Sequence, residues 1–282
     1  MRTDRRNCLH DHAGQRRVQR RPVHRRQNYP AGKTPHRAAS VSDVPKSHPR
    51  YESLRLREAI VAGVKRGVTS EHGLIAHGRG EAYDYLLGEK THDFALAAID
   101  AAAQLLTSAS HPVISVNGNV AALVAADLVR LSEALGAPLE VNIFHASKQR
   151  EQAIRSCLQK HGAGEVLMPS TDAELDFIDS NRKYVHPEGI YKADAIFVPL
   201  EDGDRCQALR QMGKAVVTVD LNPMSRTSRA ASITIVDNVV RALPLLLESL
   251  RGLAADNGRH SAEFDNLAHL AAAEREIRSQ GS

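Results

Sequence analysis

Two arginines seven residues apart, Arg50 and Arg57, mark the first stretch of this chain that could do chemistry. They lie in SHPRYESLRLREAIVAGV (residues 47–64), where Leu54, Ile60, Val61 and Val64 recur at helical spacing. Arg57 falls on that apolar stripe and Arg50 points the same way. A guanidinium on an apolar face needs an anionic partner, either a structural carboxylate or the anionic group of a ligand. Arginines snorkelling at a helix edge are the plainer reading. Next, GLIAHGRGEAYDYLLGE (73–89) reads as a glycine-flanked HGRG turn ahead of a helix. Gly78 and Gly80 would admit a ligand close to the backbone. Arg79 would supply a fixed cation, His77 a hydrogen bond, and Glu81 would sit near the helix start.

Three later turns carry polar groups at strand ends. VISVNGNVAAL (113–123) reads as strand, tight turn and helix, with Asn117, Gly118 and Asn119 at the helix N-terminus. Such a turn is an anion site or simply an Asn cap. Neither a GxGxxG fingerprint nor a GxxxxGK[ST] loop is present. In PLEDGDR (199–205), Glu201, Asp202 and Asp204 cluster after an apolar strand. They suit Mg²⁺ beside phosphates, the orientation of an amine, or a helix cap. In VDLNPMSRTSR (219–229), Asp220 and Asn222 offer an acceptor and an amide for ribose or base edges, while Arg226 and Thr227 offer phosphate donors. Asp237 and Asn238 stand at a further helix start, where they would at least cap it.

These turns need a frame. Val113–Val116, Leu139–Ile143, Val166–Met168, Ala195–Pro199, Ala215–Val219 and Ile233–Val236 are short, nearly continuous apolar runs, the pattern of strands covered on both faces. Helix-length segments lie between them, such as Val120–Leu135, Lys148–His161 and Arg205–Met212. In the first of these, Leu123, Ala126, Val129 (or Leu128) and Leu131 would lie near one face. The expected fold is α/β, an open, mostly parallel doubly wound (Rossmann-like) sheet with ligands at the carboxyl ends of its strands. A helical N-terminal region precedes it.

Composition divides the 282 residues further. Residues 1–46 hold twelve Lys and Arg against three Asp, a balance of +9; since the whole chain is +4, the remainder is −5. This arginine-rich segment has too few large apolar side chains to offset the entropy of ordering, so a disordered basic extension is expected over 1–46. The α/β domain would span 47–252, and 253–282 reads as a polar, Ala-rich terminal helix or tail. Three widely spaced cysteines, Cys8, Cys157 and Cys206, argue against a disulfide framework or zinc site and fit reduced thiols. No apolar run is long enough for a membrane span. The mildly acidic body gives no reason to expect nucleic acid.

Taken in order, 47–58, 73–89, 113–123, 189–205 (GIYKADAIFVPLEDGDR), 220–229 and 235–246 (IVDNVVRALPLL) resemble the archaeal phosphopantothenate synthetase family, the 4-phosphopantoate–β-alanine ligases. The likeness is collinear over most of residues 47–250. The arginine-rich arm and the length of the tail past Arg251 depart from it. The resemblance implies an ATP-dependent, AMP-forming ligase of coenzyme A biosynthesis. It would join 4-phosphopantoate to β-alanine through an acyl-adenylate, with Mg²⁺, as a cytoplasmic homodimer. By matching positions, it places nucleotide contacts on Arg57, Arg79, Asp220, Leu221, Asn222, Arg226, Thr227, Asn238 and Val239. Arg57, Arg79 and Arg226 would serve catalysis, and Arg50, His77, Asn117 and Asn119 the phosphopantoate. Competing classes are a non-catalytic nucleotide-binding regulatory module, which would not need the arginine set, and an RNA-binding protein driven by the basic arm.

Overall fold

All six apolar runs pair into one parallel sheet in a computed structural model, which describes residues 44–144, 147–255 and 264–279. These residues belong to the compact unit Ser40–Ser282. Most of the arginine-rich extension, through residue 43, lies outside the described residues. The strands are β1 (Pro112–Val116), β2 (Leu139–Val141), β3 (Val166–Leu167), β6 (Ala195–Phe197), β7 (Ala215–Val219) and β8 (Ile233–Ile235). Their spatial order is β3-β2-β1-β6-β7-β8. The chain first winds outward from β1 and then returns to place β6 on its other side. The strand order therefore reverses between β1 and β6, and that is where an open α/β sheet leaves a crevice at its carboxyl edge. A small antiparallel pair, β4 (Ser170–Glu174) with β5 (Tyr184–Val185), sits apart from the main sheet and was not anticipated.

Helices cover both faces, as the continuous apolar strands require. Three precede the sheet: α1 (Tyr51–Lys65), α2 (Glu71–Leu86) and α3 (Asp93–Ser108). The crossovers are α4 (Gly118–Leu135), α5 (Lys148–Lys160), α6 (Gly203–Gln211) and the short α7 (Arg226–Ala230). The chain continues with α8 (Val239–Ala255), which contains Pro244, and α9 (Asn266–Ser279). The buried side chains of α4 are Val120, Ala121, Val124, Ala125, Leu128, Val129 and Leu131, so Val129, Leu128 and Leu131 of the expected stripe face inward while Leu123 and Ala126 are only partly buried. The largest apolar cluster joins α3, α4 and α8 to the sheet. A smaller one sets Leu270 and Ala273 of α9 against Leu87, Leu221 and Val236.

Two expectations about the first helices need correction. In α1 the buried positions are Ser53, Leu56, Ile60 and Gly63, so Arg57 does not sit on the buried stripe. The HGRG segment is not a turn but the middle of α2, and Glu81 is well past the helix start. Glycine in a helix costs roughly 1 kcal/mol against alanine. At Gly73 the reason for accepting that cost is visible: a Cβ there would run into Thr69 Oγ1 and Asn119 Oδ1. The missing side chain lets α2 close over the start of α4.

Glu140, in the middle of apolar β2, is fully buried. Its carboxylate accepts the backbone N–H groups of His186 (2.9 Å) and Ile190 (2.6 Å). Gly189 lies so close that a Cβ would meet Glu140 Oε2. Burial dominates those hydrogen bonds and pushes the carboxyl up to about 7. Because the folded value lies above the unfolded one, this group stabilises the fold fully below pH ~4.5, and that contribution is lost as pH rises towards 7. The expected slope is about 1.4 kcal/mol per pH unit across this window. Urea unfolding of wild type and Glu140→Gln at pH 5 and pH 8 checks it. Between the two pH values, wild type should lose ground to the variant by roughly 2–3 kcal/mol.

Candidate functional site

At the strand-order reversal the carboxyl edge of the sheet opens into a cleft of about 380 Å³. Asn117 after β1, Leu200 and Glu201 after β6, Asp220–Asn222 after β7 and Asn238–Val239 after β8 line one side. Helix α2 lies opposite, contributing Gly73, His77, Arg79, Gly80, Glu81 and Tyr83. Ile143, Phe144, Arg150 and Arg182 close one end.

Several polar groups singled out from the sequence are committed to building this cleft. Asn117 accepts the Val120 N–H as the cap of α4 and donates to the Pro199 and Leu200 carbonyls, both at 3.1 Å. It thereby ties β1 to β6 at the reversal point. Asn119 accepts from Thr69 Oγ1 (2.5 Å) and donates to the Gly73 carbonyl (3.0 Å), fixing α4 to α2. Asn238 donates to Asp84 Oδ2 at 2.8 Å, in a network that Arg241 completes through Asp84 and Asp237. Asp220 is wrapped by its own loop, accepting from Asn222 N (2.9 Å) and Ser225 Oγ (2.5 Å), and burial pushes its carboxyl up.

What remains for a ligand is cationic or neutral. Arg79 is exposed on the α2 wall, close enough to Asp220 to act on its charge. His77 Nε2 is buried without a hydrogen-bond partner. Desolvation outweighs the attraction of Glu81 and Asp84 and lowers the imidazole's pKa. His77 lines the cleft with a neutral ring whose buried nitrogen is unused, and a small turn of the ring would offer it to a ligand's hydrogen bond.

Arg57 is placed differently. It grips Glu81 with two 2.6 Å hydrogen bonds, while Arg50 adds a 3.3 Å contact. Neither arginine lines the cleft, although Glu81 does. Burial alone would raise the Glu81 carboxyl, but the Arg57 hydrogen bonds and the neighbouring positive charges hold it below its usual value. Arg226 also lies off the cleft lining, in a solvent-exposed pair with Asp204 (2.7 Å). Thr227 is buried and donates to the Glu201 carbonyl (2.8 Å), so it supports the wall from behind.

Of the uses open to the acidic run, the structure shows its carboxylates engaged with arginines. Glu201 is buried between two guanidiniums: Arg182 reaches Oε1 at 2.5 Å and Oε2 at 2.8 Å, and Arg205 reaches Oε2 at 2.8 Å. Asp202 also contacts Arg182, at 2.7 Å, and Asp204 is spent on Arg226. Among the described residues no group of three His, Cys, Asp or Glu side chains could hold a metal ion. A carboxylate already neutralised by arginine has little to offer Mg²⁺.

The sequence model of the phosphopantothenate/pantothenate synthetase family matches residues 94–280. The 4-phosphopantoate–β-alanine ligase of Methanosarcina mazei is 54% identical over 203 residues, 72% of this chain and 80% of its own. That of Thermococcus kodakarensis is 49% identical over 230 residues, covering 79% and 88%. This chain belongs to the phosphopantothenate synthetase family. The match runs through α9, so the C-terminal helix, which had looked like a departure, is part of the synthetase.

Arg182, Arg205 and Asn142 form the synthetase's buried polar centre and went unnoticed in the sequence. Arg182 stands in a single 3-10 turn, Asn181–Lys183, and donates to Asn142 Oδ1 at 2.8 Å as well as to the two carboxylates. Its one local sign was a polar, loop-like context around a cation. Its partners lie 40 and 19 residues away, at Asn142 and Glu201.

Proposed function

We propose that this chain is the ATP-dependent ligase that condenses 4-phosphopantoate with β-alanine to 4′-phosphopantothenate, releasing AMP and pyrophosphate. The identity of about one half to ligases of that name, over most of both chains, carries the reading. The cleft chemistry supports it. A carboxylate attacking the α-phosphorus of ATP brings two anions together, so the site needs fixed cations and donors rather than a nucleophile. Arg79 is the exposed cation in the wall, and His77 offers a hydrogen bond to a phosphate or carboxylate oxygen.

The Asp220–Asn222 loop and the Asn238–Val239 edge are proposed to seat the nucleoside, and Arg57 to act on the phosphates once its hold on Glu81 is loosened. Arg226 would then have to leave Asp204 to touch phosphate, and Asn117 and Asn119 would reach phosphopantoate only through their backbone groups. Mg²⁺ enters as the counter-ion of ATP, as part of the substrate, because the carboxylates do not fit a resident ion. A second copy of the chain is the expected partner. Supporting this, α2 leaves Leu74, Ile75 and Tyr85 exposed along with Gly78 and Ala82. No helix among the described residues is long and apolar enough to cross a membrane, in keeping with a cytoplasmic enzyme.

The test is one incubation with ATP, Mg²⁺, 4-phosphopantoate and β-alanine. AMP and pyrophosphate should form in step with the ligation product, and only when both acid and amine are present at full rate. Stoichiometric ADP would overturn the adenylate route. Nucleotide binding without turnover would return the chain to the regulatory reading.

A further inference from the structure

A second cavity of about 580 Å³ adjoins the cleft, with Ile143 lining both. Its walls include Ser147, Lys148 and Glu151 at the start of α5, Ser170 and Thr171 of β4, and Asn181. None of these is used by the nucleotide chemistry above. Glu151 is the unusual member. It is only 3% exposed, yet its Oε2 accepts no hydrogen bond. The nearest cation is Lys148 Nζ, 3.2 Å away and not aligned for one, on a side chain that is 86% exposed. A carboxylate in the first turn of a helix is favoured by the helix dipole, which accounts for its charge. The dipole does not account for a buried oxygen left facing an open cavity, where an unmade charged hydrogen bond is costly.

We propose that this cavity is the subsite for the amine co-substrate, an ω-amino acid, and this rests on the ligase reading. The ammonium of β-alanine lies against Glu151, and its carboxylate meets Lys148 at the mouth. The Ser170 and Thr171 hydroxyls are available to either end. In β-alanine two methylenes separate the charges, so the zwitterion fits once the exposed Lys148 side chain swings away from its 3.2 Å contact with Glu151, and one poorly aligned ion pair is replaced with two good ones. The position beside the cleft lets the amine wait next to the acyl-adenylate without competing for the cationic groups that hold the phosphates.

Two assays on the full chain separate this proposal from the reading beneath it. The first follows exchange of labelled pyrophosphate into ATP with 4-phosphopantoate and no amine. The second follows ligation as β-alanine is varied. Glu151→Gln should raise the KM for β-alanine by about 10- to 100-fold, the size of a lost charged hydrogen bond, while pyrophosphate exchange and the KM for ATP stay within about twofold of wild type. Lys148→Met, at an exposed position that cannot compromise folding, should raise the same KM by a smaller factor. A folded Glu151→Gln enzyme with an unchanged KM for β-alanine overturns the proposal. If that variant does not fold, an unchanged KM in Lys148→Met overturns it instead. Failure of wild type to ligate at all would refute the ligase reading itself.

Discussion

Arg79→Ala is expected to lower kcat/KM for ATP by roughly 30- to 1000-fold and to leave the fold intact. Arg79 is exposed on the cleft wall of α2, so its loss removes no core packing. A surface ion pair would be worth ~0–1 kcal/mol. A charged hydrogen bond to phosphate in a partly desolvated cleft is worth roughly 2–4 kcal/mol at the transition state. The interval between these sizes makes the experiment decisive. Lysine should restore only part of the rate, because one ammonium cannot reproduce a guanidinium's paired donors. Arg57→Ala should also slow the enzyme, by a second route. It strips Glu81 of its main partner and leaves the carboxylate on the cleft wall held only by the 3.3 Å contact to Arg50. Arg57→Ala combined with Glu81→Gln should then be faster than Arg57→Ala alone. Initial rates over a range of ATP concentrations, with circular dichroism to establish folding, provide the check. A folded Arg79→Ala enzyme with near-normal kcat/KM would mean that the nucleotide binds elsewhere.

The largest stability effect should come from Glu201. Glu201→Ala leaves Arg205, which is completely buried, with only the Ser115 hydroxyl at 3.2 Å, and leaves Arg182 with Asp202 as its one carboxylate. Breaking a buried ion pair from one side costs about 3–5 kcal/mol, since the surviving charge remains desolvated. For a chain of this size that corresponds to a melting temperature lower by roughly 6–20 °C. Removing both charges is gentler. In Glu201→Ala/Arg205→Met, part of the stability should return, and the interaction energy of the double-mutant cycle should exceed about 1 kcal/mol. A loss below about 1 kcal/mol in the single variant would show that Glu201 is not holding the two guanidiniums in solution.

The frame of the molecule was readable because its strands are buried on both faces, and such strands announce themselves as continuous apolar runs. From their alternation with helices followed the parallel sheet, and from the sheet the edge on which ligands sit. The site was readable only in part. Asp220 and Asn222 follow β7 and Asn238 follows β8 at a helix start, so finding the strand located them, while Leu221 and Val239 were placed by the family resemblance alone. The arginines were harder. Arg57 and Arg79 are both exposed on helices, and what separates them is Glu81, whose pairing depends on how α1 packs on α2. The HGRG segment misled for a physical reason. Glycines commonly mark turns, but Gly78 and Gly80 sit inside α2, and the glycine that makes room for a neighbouring helix is Gly73, earlier in the same helix; local sequence cannot distinguish these uses. The acidic run left several readings open, since a carboxylate cluster looks the same whether a metal or a buried arginine neutralises it. Arg182 and Glu201 lie 19 residues apart with two strands, β5 and β6, between them, and only the fold brings them together.

Helix α9 has a consequence for the order in which the enzyme is made. Every side chain proposed to touch nucleotide has left the ribosome by Val239, and the parallel sheet is complete by then. Leu221, which lines the cleft, is backed by Leu270 and Ala273, and Asn266 of the same helix bonds Thr234 on the last strand at 2.8 Å. A nascent chain halted before α9 would therefore carry a full set of ligand groups on an unsupported wall. Competence to bind ATP should arrive late in synthesis, with the final helix, rather than with the last binding residue.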